Sequence, residues 1–443
     1  MNRQSPHYVH IPSVLAVDYI LFFLSTEGPW DLDNFPKREY ILDMLTLDTV
    51  YQASFTLKEA CRTTDLIRAP RMFPNKEVYL KTENLQTTGS FKLRGAYYKI
   101  SKLSEAQKKK GVIACSAGNH AQGVALAAAR QGIDALICIP EGAPISKVEA
   151  TRGYGAKVEL VKGVYDDAYN RALEIMKETG RTMIHPFNDP DVIAGQGTIA
   201  LEILQEMPDA DNIIVPVGGG GLLAGVAFAA KMLSPKVRVY GVQAAGAASM
   251  VKSLHDGKIE TLPSVSTIAD GIAVKCPGDL TYELCSKYAD DIVTVTDDET
   301  AVAILDMMEN QKLVSEGAGA VAVAAALFNK IPLSGKTVCL VSGGNIDVTI
   351  LSRVINRALI KEGRLADITV ELQDKPGQLQ DVSSIVASEG ANVVGVFHDK
   401  TGNEKNLTNC TLRISMETRD FDHIAEIKAK LERNGFQLMG ENH

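Results

Sequence analysis

Between about residues 78 and 350 the chain alternates short apolar runs with stretches of helical periodicity, and few folds accommodate that rhythm. The runs lie at 111–115, 134–139, 157–161, 212–217, 237–242 and 337–341. Segments apolar on both faces suit strands buried inside a parallel sheet, and the helical stretches between them supply the crossovers. The expected fold class is therefore α/β with a doubly wound layout. In such sheets ligands sit outside the carboxyl ends of the strands. The last 75 or so residues follow another rule. Period-two alternation at 367–372, a helix at 376–389 opened by Pro376, strands at 392–397 and 407–416, a helix at 421–434 and a strand at 436–439 give the order βαββαβ. That order is a ferredoxin-like unit.

Composition excludes several classes of function. With 45% apolar and 23% charged residues the chain is an ordinary globular one. A formal net charge of −8 gives it no pull towards nucleic acid or an anionic membrane. Seven cysteines without CxxC spacing read as buried, reduced thiols of a cytosolic protein. Neither they nor the eight histidines have metal-ligand spacing, so no metal site is expected. The apolar stretch 11–24 is too short to span a bilayer and contains Asp18.

Several polar motifs follow apolar runs, where an α/β sheet places its ligands. Ser116-Ala117-Gly118-Asn119-His120, Gly218-Gly219-Gly220-Gly221-Leu222 and Ser342-Gly343-Gly344-Asn345 each occupy such a position. Upstream lies Ser90-Phe91-Lys92-Leu93-Arg94-Gly95-Ala96. An amine nucleophile plus a separate glycine loop is what pyridoxal 5′-phosphate (PLP) needs: a Schiff-base lysine and backbone N–H groups for its phosphate. Taken alone the glycine loop is a weak signal. Gly219, Gly221 and Ala224 also fit a dinucleotide fingerprint. That reading wants an acid closing the next strand, and the strand at 237–242 is followed by Gln243.

The four motifs, in this order, resemble the threonine dehydratases of the β-family of PLP enzymes, which have fold type II, the two-lobed parallel-sheet fold of the tryptophan synthase β chain. The resemblance covers about 44–443 and implies a catalytic domain at 44–355, with its smaller lobe near 95–190. A linker at 356–365 and an ACT-like regulatory domain at 366–443 follow, and 1–43 reads as an extension of unknown role. The resemblance implies that Lys92 is the Schiff-base lysine and general base, with Phe91 packed on the cofactor ring. Gly218, Gly219, Gly220, Gly221 and Leu222 would hold the phosphate, Asn119 the ring oxygen and Ser342 the pyridine nitrogen. Ser116, Gly118 and His120 would hold the substrate carboxylate. Serine racemases of the family carry a serine where this chain has Ala117, which cannot carry a proton, so elimination is expected over racemisation.

The activity implied is PLP-dependent deamination of L-threonine to 2-oxobutyrate and ammonia, with L-serine as a side substrate. The cofactor phosphate is expected to protonate the leaving hydroxyl. Cysteine and threonine synthases share the fold, but their loop ends Asn-Thr, against Asn119-His120 here. A single ACT-like unit tilts the expectation to a catabolic enzyme, with a biosynthetic deaminase and a non-catalytic amino-acid sensor as alternatives. An amino acid or AMP is the expected effector, and a homodimer or homotetramer the expected assembly.

Overall fold

The structure, a computed structural model, describes residues 45–399 and 409–439. The expectations for 1–43 and for the start of a strand at Leu407 lie outside the described residues. The first ten described strands are β1 (Leu66–Arg68), β2 (Val78–Lys81), β3 (Val112–Cys115), β4 (Ala135–Pro140), β5 (Lys157–Val161), β6 (Thr182–Met183), β7 (Asn212–Pro216), β8 (Arg238–Ala244), β9 (Asp291–Val295) and β10 (Thr337–Leu340). They form two sheets, ordered β1-β2-β10-β7-β8-β9 and β5-β4-β3-β6. Every neighbouring pair is parallel except β1 with β2, an antiparallel edge that the hydrophobic pattern did not announce.

Burial explains why the central strands read as continuous apolar runs. All residues of β3, β7 and β10 are buried, because helices cover both faces of each sheet. β8 runs two residues past the end expected for it, so Gln243 is an interior strand residue and is fully buried. Only small residues, Ala244-Ala245-Gly246, then occupy the end of that strand.

The C-terminal sheet comprises β11 (Leu365–Gln373), β12 (Asn392–Asp399), β13 (Asn409–Glu417) and β14 (Gln437–Leu438), in the order β12-β13-β11-β14 with every pair antiparallel. Period two is plain on β13, where Cys410, Leu412, Ile414 and Met416 face a core of their own. Helices Gln378–Ser388 and Phe421–Arg433 close that core with Val382, Val386, Ile427 and Leu431. Pro376 does not sit in the first turn of its helix: Gly377, at φ 96°, intervenes and starts the helix at Gln378. The expected linker is also shorter. Helix Val348–Lys361 occupies much of 356–365 and leaves three residues, 362–364, before β11.

One buried ionic cluster fixes the helix that begins at Lys92. Arg94, 1% exposed, makes a two-pronged pair with Glu83, Nε to Oε2 and Nη2 to Oε1, both at 2.8 Å. Its Nη1 also donates to Glu202 at 2.6 Å and to Thr198 at 3.1 Å. Lys81, fully buried, completes the set with a 2.6 Å contact to Glu202. Two cations thus meet two anions drawn from four elements. Burial works against the Glu83 carboxylate, but the Arg94 charge and hydrogen bonds outweigh it and hold its pKa below the ordinary value.

Candidate active site

Lys92 opens helix Lys92–Ser101 just beyond the carboxyl end of β10, and its loop is stitched to the segment that follows that strand. The Phe91 N–H donates to the Ser342 carbonyl at 3.1 Å, and the Gly344 N–H to the Gly89 carbonyl at 2.9 Å. Asn345 donates to the Thr88 carbonyl at 2.8 Å. Gly89 has a φ of 70°, and a Cβ there would lie 2.4 Å from the Asn345 side chain. Only glycine satisfies both the left-handed backbone and this close approach. The helix Asn119–Arg130 packs on the same turn, because Gly123 leaves room for the Lys92 backbone 3.1 Å from where a Cβ would sit. Three of the four sequence motifs therefore converge on one amine.

The fourth motif joins through a turn that the sequence reading missed. The Lys92 Nζ donates to the Pro186 carbonyl at 2.9 Å. The next residue, Phe187, fills the space beside the glycine loop: a Cβ at Gly219 would come within 2.4 Å of its ring, and one at Gly221 within 2.8 Å of its backbone. Gly220, at φ 98°, is hemmed in by Met250 and Thr281. The Thr281 hydroxyl holds the Gly219 carbonyl at 2.5 Å, fixing the loop at the N-terminus of helix Gly221–Leu233. The His185 Nδ1 accepts the N–H groups of Phe187 and Asn188, which shapes the turn. His185-Pro186-Phe187-Asn188 carries a turn signal in its proline and asparagine, but nothing local couples it to an amine 94 residues away.

Electrostatics favour a reactive amine. Burial, acting on the charged form, pulls the Lys92 pKa down to about 8, with Glu316 acting in the opposite sense. The Phe91 ring centroid lies 5.2 Å from Nζ. His120 departs from expectation. Its ring is 3% exposed and its Nε2 meets the Ile184 carbonyl at 2.8 Å, so its side chain braces the 184–187 segment. Burial and the Lys92 charge push its pKa down to about 3, so it is neutral. Its backbone N–H, in the first turn of the helix, is the part available to an anion. Ser116 accepts from the Gly118 N–H at 3.2 Å, and the space above Gly118 is open to 4 Å. Ser342 is 2% exposed and its hydroxyl donates to the Ala318 carbonyl at 3.3 Å. Leu222 is buried in the first turn beyond the glycine loop.

Asn119 has a partner that sequence reasoning did not identify. Its Nδ2 donates to Glu316 Oε1 at 2.6 Å, while its Oδ1 accepts from Asn345 at 2.8 Å. Glu316 sits just before helix Gly317–Leu327 and is 3% exposed. An acid before the run Gly317-Ala318-Gly319-Ala320 was the available signal, since small residues let the 342–344 segment come close. A Cβ at Gly319 would lie 2.2 Å from the Gly343 carbonyl.

These residues fit PLP. The glycine cradle is one that a side chain would fill, the amine is buried and easily deprotonated, and the Ser342 hydroxyl beside them is uncharged. Among the described residues no three or more His, Cys, Asp or Glu side chains gather as a metal site. Among them, too, no helix is long and apolar enough to cross a membrane.

Comparison with known proteins bears on the same residues. A family model described as pyridoxal-phosphate dependent enzyme matches 57–344. An L-threonine ammonia-lyase of Thermotoga maritima is 49% identical over 398 residues, covering 89% of this chain and 99% of that protein. A catabolic L-threonine dehydratase of Escherichia coli strain K12 is 50% identical over 281 residues, 63% of this chain and 85% of the relative. The solved structure of maize serine racemase superposes with a TM-score of 0.68 at 37% identity, covering 72% of this chain and 99% of that one.

Proposed function

Because this chain belongs to the family of pyridoxal-phosphate dependent enzymes, we propose that it is an L-threonine ammonia-lyase, releasing 2-oxobutyrate and ammonia by β-elimination. The observation that carries the reading is the buried Lys92 amine, set against a glycine cradle by the 185–188 turn. The threonine ammonia-lyase relative that spans nearly the whole chain supports the substrate.

Each residue then has a task. Lys92 anchors the cofactor and removes the substrate α-proton, a role suited to an amine that gives up its own proton near pH 8. The N–H groups of Gly219, Gly220, Gly221 and Leu222, at a helix N-terminus, would hold the dianionic phosphate of the cofactor. Gly218 leads the chain into that loop. Phe91 borders the amine, Asn119 presents an amide to the ring side, and Ser342 offers an uncharged hydroxyl for the pyridine nitrogen. Ser116, Gly118 and the backbone of His120 form the start of a helix able to grip a carboxylate. When bound, PLP supplies an aldehyde for amines and a ring that acidifies the α-proton. Ala117 offers no second base, which disfavours racemisation although a serine racemase shares the fold.

The C-terminal βαββαβ unit is assigned to effector binding as an ACT-type domain at 366–443, with an amino acid or AMP as ligand. A catabolic role agrees with the single C-terminal unit and with the catabolic E. coli relative. A homodimer or homotetramer and a cytoplasmic location complete the proposal.

Two measurements test it. Losing one methyl from an apolar pocket costs about 1–3 kcal/mol, so kcat/KM for L-serine falls roughly 5- to 150-fold below that for L-threonine; equal values would refute the threonine assignment. For the cradle, Gly221→Ala sets a Cβ 2.8 Å from the Phe187 backbone. Overpacking of about 1–3 kcal/mol weakens PLP binding roughly 5- to 150-fold. Titration of the apo-protein with PLP, followed by absorbance, reads the change, and wild-type affinity would place the phosphate elsewhere.

A further inference from the structure

Glu316 is a carboxyl that contacts the site directly, through Asn119, and nothing in the elimination scheme gives it a task. It reaches the cleft from the large lobe. Its backbone N–H is tied to the Gly343 carbonyl at 3.1 Å, and its Oε1 lies 2.5 Å from where a Gly343 Cβ would be. Its 2.6 Å bond to Asn119, on the small lobe, crosses between the lobes. The Asn345 bond to the other end of the same amide crosses with it. Asn119 therefore has its oxygen and one amide hydrogen committed, and its flip state is fixed. The second amide hydrogen is the donor that the Asn119 side chain has left for the cleft.

We propose that Glu316 is a positioning residue with two effects: it aims the free Asn119 N–H at the bound cofactor, and its charge tunes how readily Lys92 gives up its proton. The first effect follows from the hydrogen-bond geometry. The second follows from opposite charges sharing one buried cleft, where screening by water is weak: Glu316 bonds Asn119, and the helix that Asn119 opens packs against the Lys92 backbone at Gly123. The groups facing Glu316 are Asp270, Lys147, Asn119 and Lys92. Asp270 and Lys147 pair with one another, bridging the lobes beside Glu316. Burial, then the Asp270 charge, lifts the Glu316 pKa to about 7, so the carboxyl is neutral below that pH and anionic above it. The anionic form raises the Lys92 pKa, against the burial that lowers it. Proton release from Lys92 is therefore held back as Glu316 ionises.

The inference rests on the assignment of Lys92 as the group that receives PLP. Its test begins with uptake of PLP by apo-protein, read by absorbance across pH without any substrate. Attack on the aldehyde needs the free amine, so the uptake rate rises as Lys92 deprotonates. Glu316→Gln removes the anion but keeps an oxygen that can accept from Asn119. The expected result is an uptake midpoint lowered by about one pH unit. Asn119→Ala keeps the carboxyl and removes only the hydrogen bond that favours its anion, so it shifts the midpoint less than Glu316→Gln does. In turnover of L-threonine, Glu316→Ala releases the Asn119 amide and lowers kcat/KM about 100-fold, whereas Glu316→Gln loses less than about tenfold. Circular dichroism and melting confirm that each variant is folded. Should Glu316→Ala fail to fold, the Gln variant alone decides. An unchanged uptake midpoint in Glu316→Gln overturns the charge effect, and wild-type kcat/KM in a folded Glu316→Ala overturns the positioning. If instead Lys92→Ala protein takes up PLP with the wild-type absorbance band, it is the Lys92 assignment that fails.

Discussion

Lys92→Ala abolishes formation of 2-oxobutyrate from L-threonine, by about 10⁴-fold or more, and removes the absorbance of lysine-bound PLP at the same time. Both losses follow from one atom, Nζ, the amine held 2.9 Å from the Pro186 carbonyl. His120, the nearest imidazole by sequence, cannot substitute as base. Its Nε2 is bound to the Ile184 carbonyl, and burial disfavours its protonation. Truncation leaves the Pro186 carbonyl without its donor, at a stability cost of about 1–3 kcal/mol. The variant therefore remains folded, and circular dichroism should overlay that of the wild type. Keto-acid formation at wild-type rate would show that another base does the work.

Arg94→Met lowers stability to urea by about 3–5 kcal/mol, because it leaves a buried carboxylate without its cation. Glu83 is fully buried and its carboxylate is held by Arg94 on both oxygens. Lys81 faces Glu202 and the Thr64 carbonyl, so it does not replace the two-pronged partner. Arg94→Lys offers one ammonium where two parallel donors are needed and recovers only part of the loss. Neutralising the orphan restores more: Glu83→Gln combined with Arg94→Met is more stable than Arg94→Met alone. Additive losses in the double variant would mean that the pair is not the origin of the effect. Because Arg94 lies one helical half-turn past Lys92, the single variant also weakens PLP binding.

What the sequence revealed followed the range of each interaction. Strands buried on both faces, such as β3 and β7, announce themselves by apolar runs, and the motifs at their ends were placed by the rule of α/β sheets. β1 and β6 have three and two residues, too few for any period to register. Lys92, Asn119, Ser342 and the glycine loop could be named because their local strings are distinctive. The contacts that join them could not. Pro186, Phe187 and Glu316 act across 94, about 30 and 197 residues of chain, and nothing beside them in sequence declares the partner. His120 shows the converse. Its string marks it as part of the site, and only the fold reveals that its ring turns to Ile184. The connection at 362–364 was read as longer because the start given to it, 356, falls inside helix Val348–Lys361; Gly363, at φ 69°, stands just past the end of that helix.

The most direct test of the account is the product made by PLP-loaded wild-type protein from L-threonine, with 2-oxobutyrate and ammonia measured together. The account predicts the two in equal amounts, with no D-amino acid formed. A PLP-bound protein that binds L-threonine yet releases neither product, or that inverts the α-carbon, would contradict it.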